Sequence, residues 1–172
     1  MLHDEIRVFE DFLPEELRQT CYHKLSLPQW SFDGGSAHSR FWHMNELEVD
    51  PFFNTILMRY VLDAINDRAG YNIKRIYANG QTATQSGVIH RDHDDETAWT
   101  FLYYSTPNWK PAYAGNTIFF DEKENIVKTV QYKSNRAVLF PSRIPHMAEA
   151  PARQYGGLRT TIAFKLDMIR TE

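Results

Sequence analysis

Two overlapping His-x-Asp triplets, His90-Arg91-Asp92 and His93-Asp94-Asp95, lie in the segment SGVIHRDHDDETAWTFLYY, residues 86–104. In an extended chain, residues two apart point to the same side, so either triplet can offer an imidazole and a carboxylate to one ion. A third ligand must come from elsewhere, and His146 in FPSRIPHMAEA, on a later strand-like segment, is the natural choice. Two histidines and one carboxylate on one face of an octahedron suit a ferrous ion and leave three positions open. Arg159 follows His146 by thirteen residues and heads the alternating stretch RTTIAFK. Thr161 and Ala163 share its face and are small, which leaves space in a barrel interior. A guanidinium buried there needs an anion, and its fork matches a carboxylate. The chemistry to expect is a metal ion beside a carboxylate-bearing ligand.

The elements that must position these groups read as one domain over residues 1–172, long enough to bury a core. Hydrophobic content of 42% and charged content of 24% fit a soluble globular chain. The net charge of −3 gives no support to a broad phosphate-binding surface, so no nucleic-acid partner is expected. Cys21 is the only cysteine, which excludes an internal disulfide and a cysteine-based zinc site. No apolar run reaches membrane-spanning length, and the opening MLHDEIRVFEDF is acidic where a signal peptide is basic and apolar. A cytoplasmic chain with no membrane partner is the expectation.

Residues 1–70 read as mainly helical. LPEELRQTCYHKLSLP has Pro14 placed for a first turn, early acids Glu15 and Glu16, and Pro28 beyond the end. In DPFFNTILMRYVLDAINDRAG, Asp50 can cap, Pro51 fits the first turn and Gly70 terminates. Phe53, Leu57, Tyr60, Val61, Ala64 and Ile65 form its apolar stripe. Between them SFDGGSAHSRFWHMNEL shows no period, and Gly34-Gly35 predicts a mobile surface loop that could bring His38 and His43 to a substrate. From Asn72 onward, short runs rich in β-branched and aromatic residues predict strands: IKRIYA, AWTFLYYS, NTIFFD, IVKTVQY, RAVLFPS, HMAEA and LRTTIAFKL. Helices followed by many strands make an α+β chain whose β part is a sandwich or open barrel.

In that order HRD, WTFLYYSTPNW, AGNTIFF, RAVLFPSRIPH and LRTTIAF resemble the catalytic core of Fe(II)/2-oxoglutarate dioxygenases of the prolyl 4-hydroxylase type, over roughly residues 73–166. The resemblance implies a double-stranded β-helix (jelly roll, cupin-like) over about 71–168, buttressed by N-terminal helices. It implies His90, Asp92 and His146 as iron ligands and Arg159 as the group holding the distal carboxylate of 2-oxoglutarate. Thr100 and Tyr104 fall where the family sets side chains against the cosubstrate, and Tyr77 resembles a tyrosine on the strand before the metal motif. The cofactors implied are Fe(II), 2-oxoglutarate and O₂, with ascorbate as a candidate stimulant.

The His90/Asp92 frame places Thr100 at the family-like distance, whereas the His93/Asp95 frame contracts that spacing by three and changes its parity. Gly115-Asn116 stands where relatives commonly have Gly-Gly, and the loop HDDETA is short and acidic, which bears on substrate choice. The implied reaction is C–H hydroxylation with release of succinate and CO₂. A prolyl residue in a peptide or protein leads as substrate, with Trp42, Trp109 or Tyr113 as rings to stack on it. A free amino acid or small metabolite is the alternative, because one core serves many substrates. Arg153 and Arg159 have the Arg-x5-Arg spacing of AlkB-type demethylases, but Gly156-Gly157 interrupts the stretch. The non-enzymatic alternative is a jelly-roll binding module holding an inert metal.

Overall fold

The computed structural model describes residues 2–36, 39–65 and 70–169. Its strands are β1 Arg7–Phe9, β2 Ser31–Ser36, β3 Ser39–Met44, β4 Tyr71–Gln81, β5 Ala98–Tyr104, β6 Thr117–Phe120, β7 Ile126–Val130, β8 Ala137–Pro141, β9 His146–Ala148 and β10 Arg159–Met168. The helices are α1 Glu15–Leu25 and α2 Met58–Ile65, the latter entered through a wide-turned segment Phe52–Leu57. Seven strands form one sheet in the order β1-β8-β5-β10-β4-β3-β2, and three form a second in the order β7-β6-β9. The two sheets and their antiparallel pairing make the double-stranded β-helix.

Strict alternation gives each strand of the large sheet two different faces. Phe101 and Tyr103 of β5, Leu139 of β8, and Ile162, Phe164 and Leu166 of β10 pack outward against Leu25, Phe53, Leu57, Val61 and Ile65 of the helical layer. Leu102 and Tyr104 of β5, Val138 and Phe140 of β8, and Ala163 of β10 point inward, where they meet Phe119 of β6 and Val130 of β7. Asp50 caps the second helical run by accepting the Phe52 N–H at 2.9 Å, as its position predicts. Gly70 takes φ +72°, and the predicted stripe is buried at Phe53, Leu57, Val61 and Ile65.

The first 70 residues are less helical than expected, for they also contain β1, β2 and β3. Nor is the glycine pair a loop: Gly34 and Gly35 lie in β2, opposite Phe41 and Arg40 of β3. Ladder hydrogen bonds from β3 hold them there, a tertiary effect that overrides their low strand propensity. His38 lies outside the described residues. Among the described residues no helix is long and apolar enough to cross a membrane.

Candidate active site

The β-helix brings two distant segments together at one end. His90 and His146 exchange backbone hydrogen bonds, 3.0 Å from the His90 N–H and 2.9 Å from the His146 N–H. Their rings then lie 4.5 Å apart between centroids. Asp92 is anchored by its own N–H donating to the Ser142 carbonyl at 2.9 Å, at the end of β8. The result is a convergence of His90, Asp92 and His146 whose ligand atoms all lie within 4.8 Å of one another. Arg91, between the first two, points away and pairs with Glu122 and Asp94.

Each imidazole is oriented in the same way. His90 Nδ1 lies 2.9 Å from the Val88 carbonyl and His146 Nδ1 lies 2.8 Å from the Ile144 carbonyl. A carbonyl can only accept, so both Nδ1 atoms carry a hydrogen, and whenever a ring is neutral its Nε2 keeps a lone pair. Those Nε2 atoms face Asp92, His90 at 3.5 Å from Oδ1 and His146 at 3.5 Å from Oδ2. Burial pushes the His146 pKa down to about 4 against the pull of Asp92, so the ring is neutral at pH 7. The hydrogen bond with Asp92 raises that of His90. Burial alone would raise the Asp92 pKa, but the charge of Lys165 beside it holds it well below the usual range. His146 is a ready neutral donor and Asp92 an ionised carboxylate, and His90 completes the set that a divalent first-row metal requires once its Nε2 gives up its proton to the metal.

The competing triplet is used otherwise. His93 Nδ1 accepts the Asp95 N–H at 3.0 Å, and Asp95 Oδ1 accepts both the N–H and the hydroxyl of Thr97 at 2.8 Å. These are turn contacts, and the His90/Asp92 frame is the one that converges with His146.

Deeper in the same interior, Arg159 is only 1% exposed. Register sets its partner, since Arg159 lies opposite Gln81 of β4 and donates Nη1–H to Gln81 Oε1 at 2.7 Å. Its Nε–H donates to the Gly115 carbonyl at 2.6 Å, and its guanidinium stacks 4.8 Å from the Tyr132 ring centre. Gly115 takes φ +77°, and a Cβ there would come 3.0 Å from Arg159 Cδ and Nε and 2.9 Å from Trp109. Nη2 is buried with no hydrogen-bond partner, and among the described residues Arg159 has no ion pair. An unpaired guanidinium edge in a cavity shared with His90, Asp92 and His146 fits a ligand that spans from a metal to a carboxylate.

Thr100 sits at the metal end of this cavity, where its hydroxyl donates to Asp92 Oδ2 at 2.7 Å. Tyr104 lies behind the wall: its hydroxyl donates to Thr117 at 2.7 Å and its ring stacks on Tyr132 at 4.6 Å. Burial pushes its pKa up to about 12, keeping it a neutral donor. Tyr77 faces Asp92 and Lys165. Trp109 is buried and donates to the Ala114 carbonyl at 3.0 Å, Tyr113 packs against it, and Trp42 faces Phe32 on the other side of β3. None of these three rings reaches the metal end. Instead Phe41 and His43 of β3, with Tyr77 and Val88, wall a cleft of about 400 Å³ that opens onto His90 and Asp92. Arg153 stands exposed in a turn before β10 begins, so it shares no strand with Arg159.

Sequence reasoning missed Gln81, Tyr132 and Lys165. Lys165 continues the parity of Arg159, Thr161 and Ala163, and parity alone would have placed it inside.

A jelly roll carrying a two-histidine, one-carboxylate face and a buried, half-satisfied arginine defines a class of non-haem metal protein. The sequence profile of the 2OG-Fe(II) oxygenase superfamily matches residues 74–164, and the chain belongs to that superfamily. Its family thus makes it a dioxygenase that uses Fe(II) and 2-oxoglutarate. No curated protein matches its sequence. Among solved structures it is similar to a prolyl hydroxylase from Trichoplax adhaerens in complex with a hypoxia inducible factor peptide, at 16% identity and TM-score 0.71 over 95% of this chain and 84% of that one. It is also similar to a Pseudomonas putida prolyl-4-hydroxylase, at 14% identity and TM-score 0.63 over 97% and 94%. HygX from Streptomyces hygroscopicus, with nickel, 2-oxoglutarate and hygromycin B bound, matches at 10% identity and TM-score 0.70 over 95% and 83%. These likenesses establish the prolyl 4-hydroxylase-like fold.

Proposed function

We propose that the protein hydroxylates a C–H bond of a prolyl residue in a peptide or protein, with His90, Asp92 and His146 as iron ligands and Arg159 holding the distal carboxylate of 2-oxoglutarate. The observation that carries this reading is the unpartnered Arg159 Nη2, buried in the cavity that also contains the three metal-binding side chains. When bound, iron and 2-oxoglutarate supply the oxidising power, and one O₂ is divided between the new hydroxyl and the succinate formed with loss of CO₂. The protein's part is to place the groups. His90 and His146 present fixed Nε2 lone pairs, and Asp92 neutralises charge. Arg159 draws the cosubstrate to full depth, and the cleft beside β3 receives the substrate next to His90.

The walls of that cleft favour an uncharged ring. Phe41, His43, Tyr77 and Val88 surround it, and Arg91 is already committed to Glu122 and Asp94. A peptide can lie along the open side while one prolyl ring enters. The second reading, a small molecule, rests on volume, since about 400 Å³ is the size of an ordinary small-ligand pocket. The test is incubation with Fe(II), ascorbate and 2-oxoglutarate against a library of proline-containing peptides and, separately, free amino acids. Succinate release coupled to gain of one oxygen on a peptide is expected. Coupling only to a free small molecule would favour the second reading. Failure to bind 2-oxoglutarate at all would leave a metal-holding binding module.

A further inference from the structure

Lys165 is the unexpected charge in the interior. It lies opposite Thr100 in the β10–β5 register and carries its ammonium to Asp92 Oδ2. Lys165 Nζ also donates to Thr100 Oγ1 at 3.1 Å. Thr100 has one hydroxyl hydrogen and gives it to the same Asp92 Oδ2, so the Ser142 hydroxyl, 2.9 Å from Thr100, must be the donor in that pair. The hydrogen bonds therefore run in one direction, from Ser142 and Lys165 to Thr100, and from Thr100 and Lys165 to Asp92.

A carboxylate oxygen has two in-plane lone pairs. On Oδ2 both are engaged, one by Thr100 and one by Lys165. Oδ2 is also 3.5 Å from His146 Nε2, but that nitrogen carries a lone pair and donates nothing. Oδ1 has only His90 Nε2 before it, at 3.5 Å, and that ring turns its lone pair to a metal when one binds. We infer that Lys165 is a positioning residue: with Thr100 it holds Asp92 so that the metal receives one carboxylate oxygen, not two.

The consequence is the number of positions left open. A six-coordinate ion held by two imidazoles and one oxygen keeps three, enough for a chelating keto acid and one further ligand, whereas a two-oxygen Asp92 leaves two. The inference rests on the proposed use of the site by a chelating cosubstrate, but the count can be read without that cosubstrate. It also predicts a split that a merely structural lysine would not give. Removing Lys165 takes a like charge from beside the cation and frees a second oxygen, so metal binding holds or tightens while the open positions fall from three to two.

The test loads the purified protein with Mn(II) and measures water-proton relaxation, which counts exchangeable waters on the ion. Lys165→Met is expected to lose about a third of the wild-type relaxation enhancement, as three waters become two. Its Mn(II) affinity should be equal or higher. Lys165→Arg, which keeps donor and charge, should restore the wild-type value. An unchanged water count in Lys165→Met, a loss of Mn(II) binding by it, or an equal fall in Lys165→Arg would each overturn the assignment. Should Lys165→Met not fold, Thr100→Val frees the other lone pair of the same oxygen and carries the same expectation. Wild type that shows three waters but binds no 2-oxoglutarate would refute the proposed function while leaving the role of Lys165 standing.

Discussion

The two faces of β10 come from one run of ten residues and do opposite work. Toward the helices stand Ile162, Phe164 and Leu166, buried in an apolar layer with Phe53, Leu57 and Val61. Toward the second sheet stand Arg159, Thr161, Ala163 and Lys165, two cations and two small residues around a cavity. Both faces are largely buried, so burial alone cannot tell them apart. The outer face stabilises by removing apolar surface from water. The inner face carries charges whose desolvation opposes folding until ligands arrive. Stability resides on one side of the strand and function on the other.

The largest effect should come from cutting the outer face. Phe164→Ala is expected to cost about 3–5 kcal/mol in urea unfolding while the folded fraction still binds metal normally. A loss below about 1 kcal/mol would mean that the helical layer does not depend on this packing. Substitution on the inner face should do the reverse. Arg159→Met is expected to lower 2-oxoglutarate affinity about 100-fold, near 3 kcal/mol, with a stability change of no more than about 1–2 kcal/mol. Calorimetry with the metal-loaded protein would decide, and unaltered affinity would remove Arg159 from the site.

Most of the inner face was legible because its chemistry is written in residue types. The His-x-Asp spacing, His146 and Arg159 each stand out, and their order matched a family pattern. Lys165 was legible by parity but passed over, because a lysine near the end of a strand ordinarily faces solvent. Gln81 could not be read, since only the β4–β10 register sets it opposite Arg159. The β2–β3 hairpin was hidden for a different reason. Its first strand, SFDGGS, has neither alternation nor β-branched residues, and pairing with β3 supplies what local preference lacks. The second strand does alternate, with Phe41 and His43 toward the cleft and Trp42 away from it. Of the rings expected near a substrate, His43 therefore lines the cleft while Trp42 does not.

Two smaller effects sharpen the outer side of the comparison. Asn135 takes φ +66° and ties the N-terminal segment to the core, accepting from Leu13 N–H at 2.9 Å and from the Tyr103 hydroxyl at 3.1 Å. Asn135→Ala should cost about 2 kcal/mol by leaving buried donors unpaired, measured by thermal unfolding with activity retained below the transition. A neutral result would mean that water replaces the amide. Smallest of all, Cys21 is fully buried against the helical layer, and burial pushes its pKa up to about 12. It should resist thiol reagents at pH 8 over a period in which a urea-unfolded control reacts completely. Rapid labelling would show that α1 opens readily.

The central claim is that the inner face binds a metal through His90, Asp92 and His146 and a keto acid through Arg159. The most direct measurement is an anaerobic titration of the apo-protein with Fe(II) and 2-oxoglutarate, following the weak visible charge-transfer band of a chelated keto acid. His90→Ala and His93→Ala would be titrated in parallel. A band in wild type and in His93→Ala, absent in His90→Ala, is the predicted result. Its absence from folded, iron-loaded wild type, or its loss in His93→Ala with retention in His90→Ala, would contradict the account.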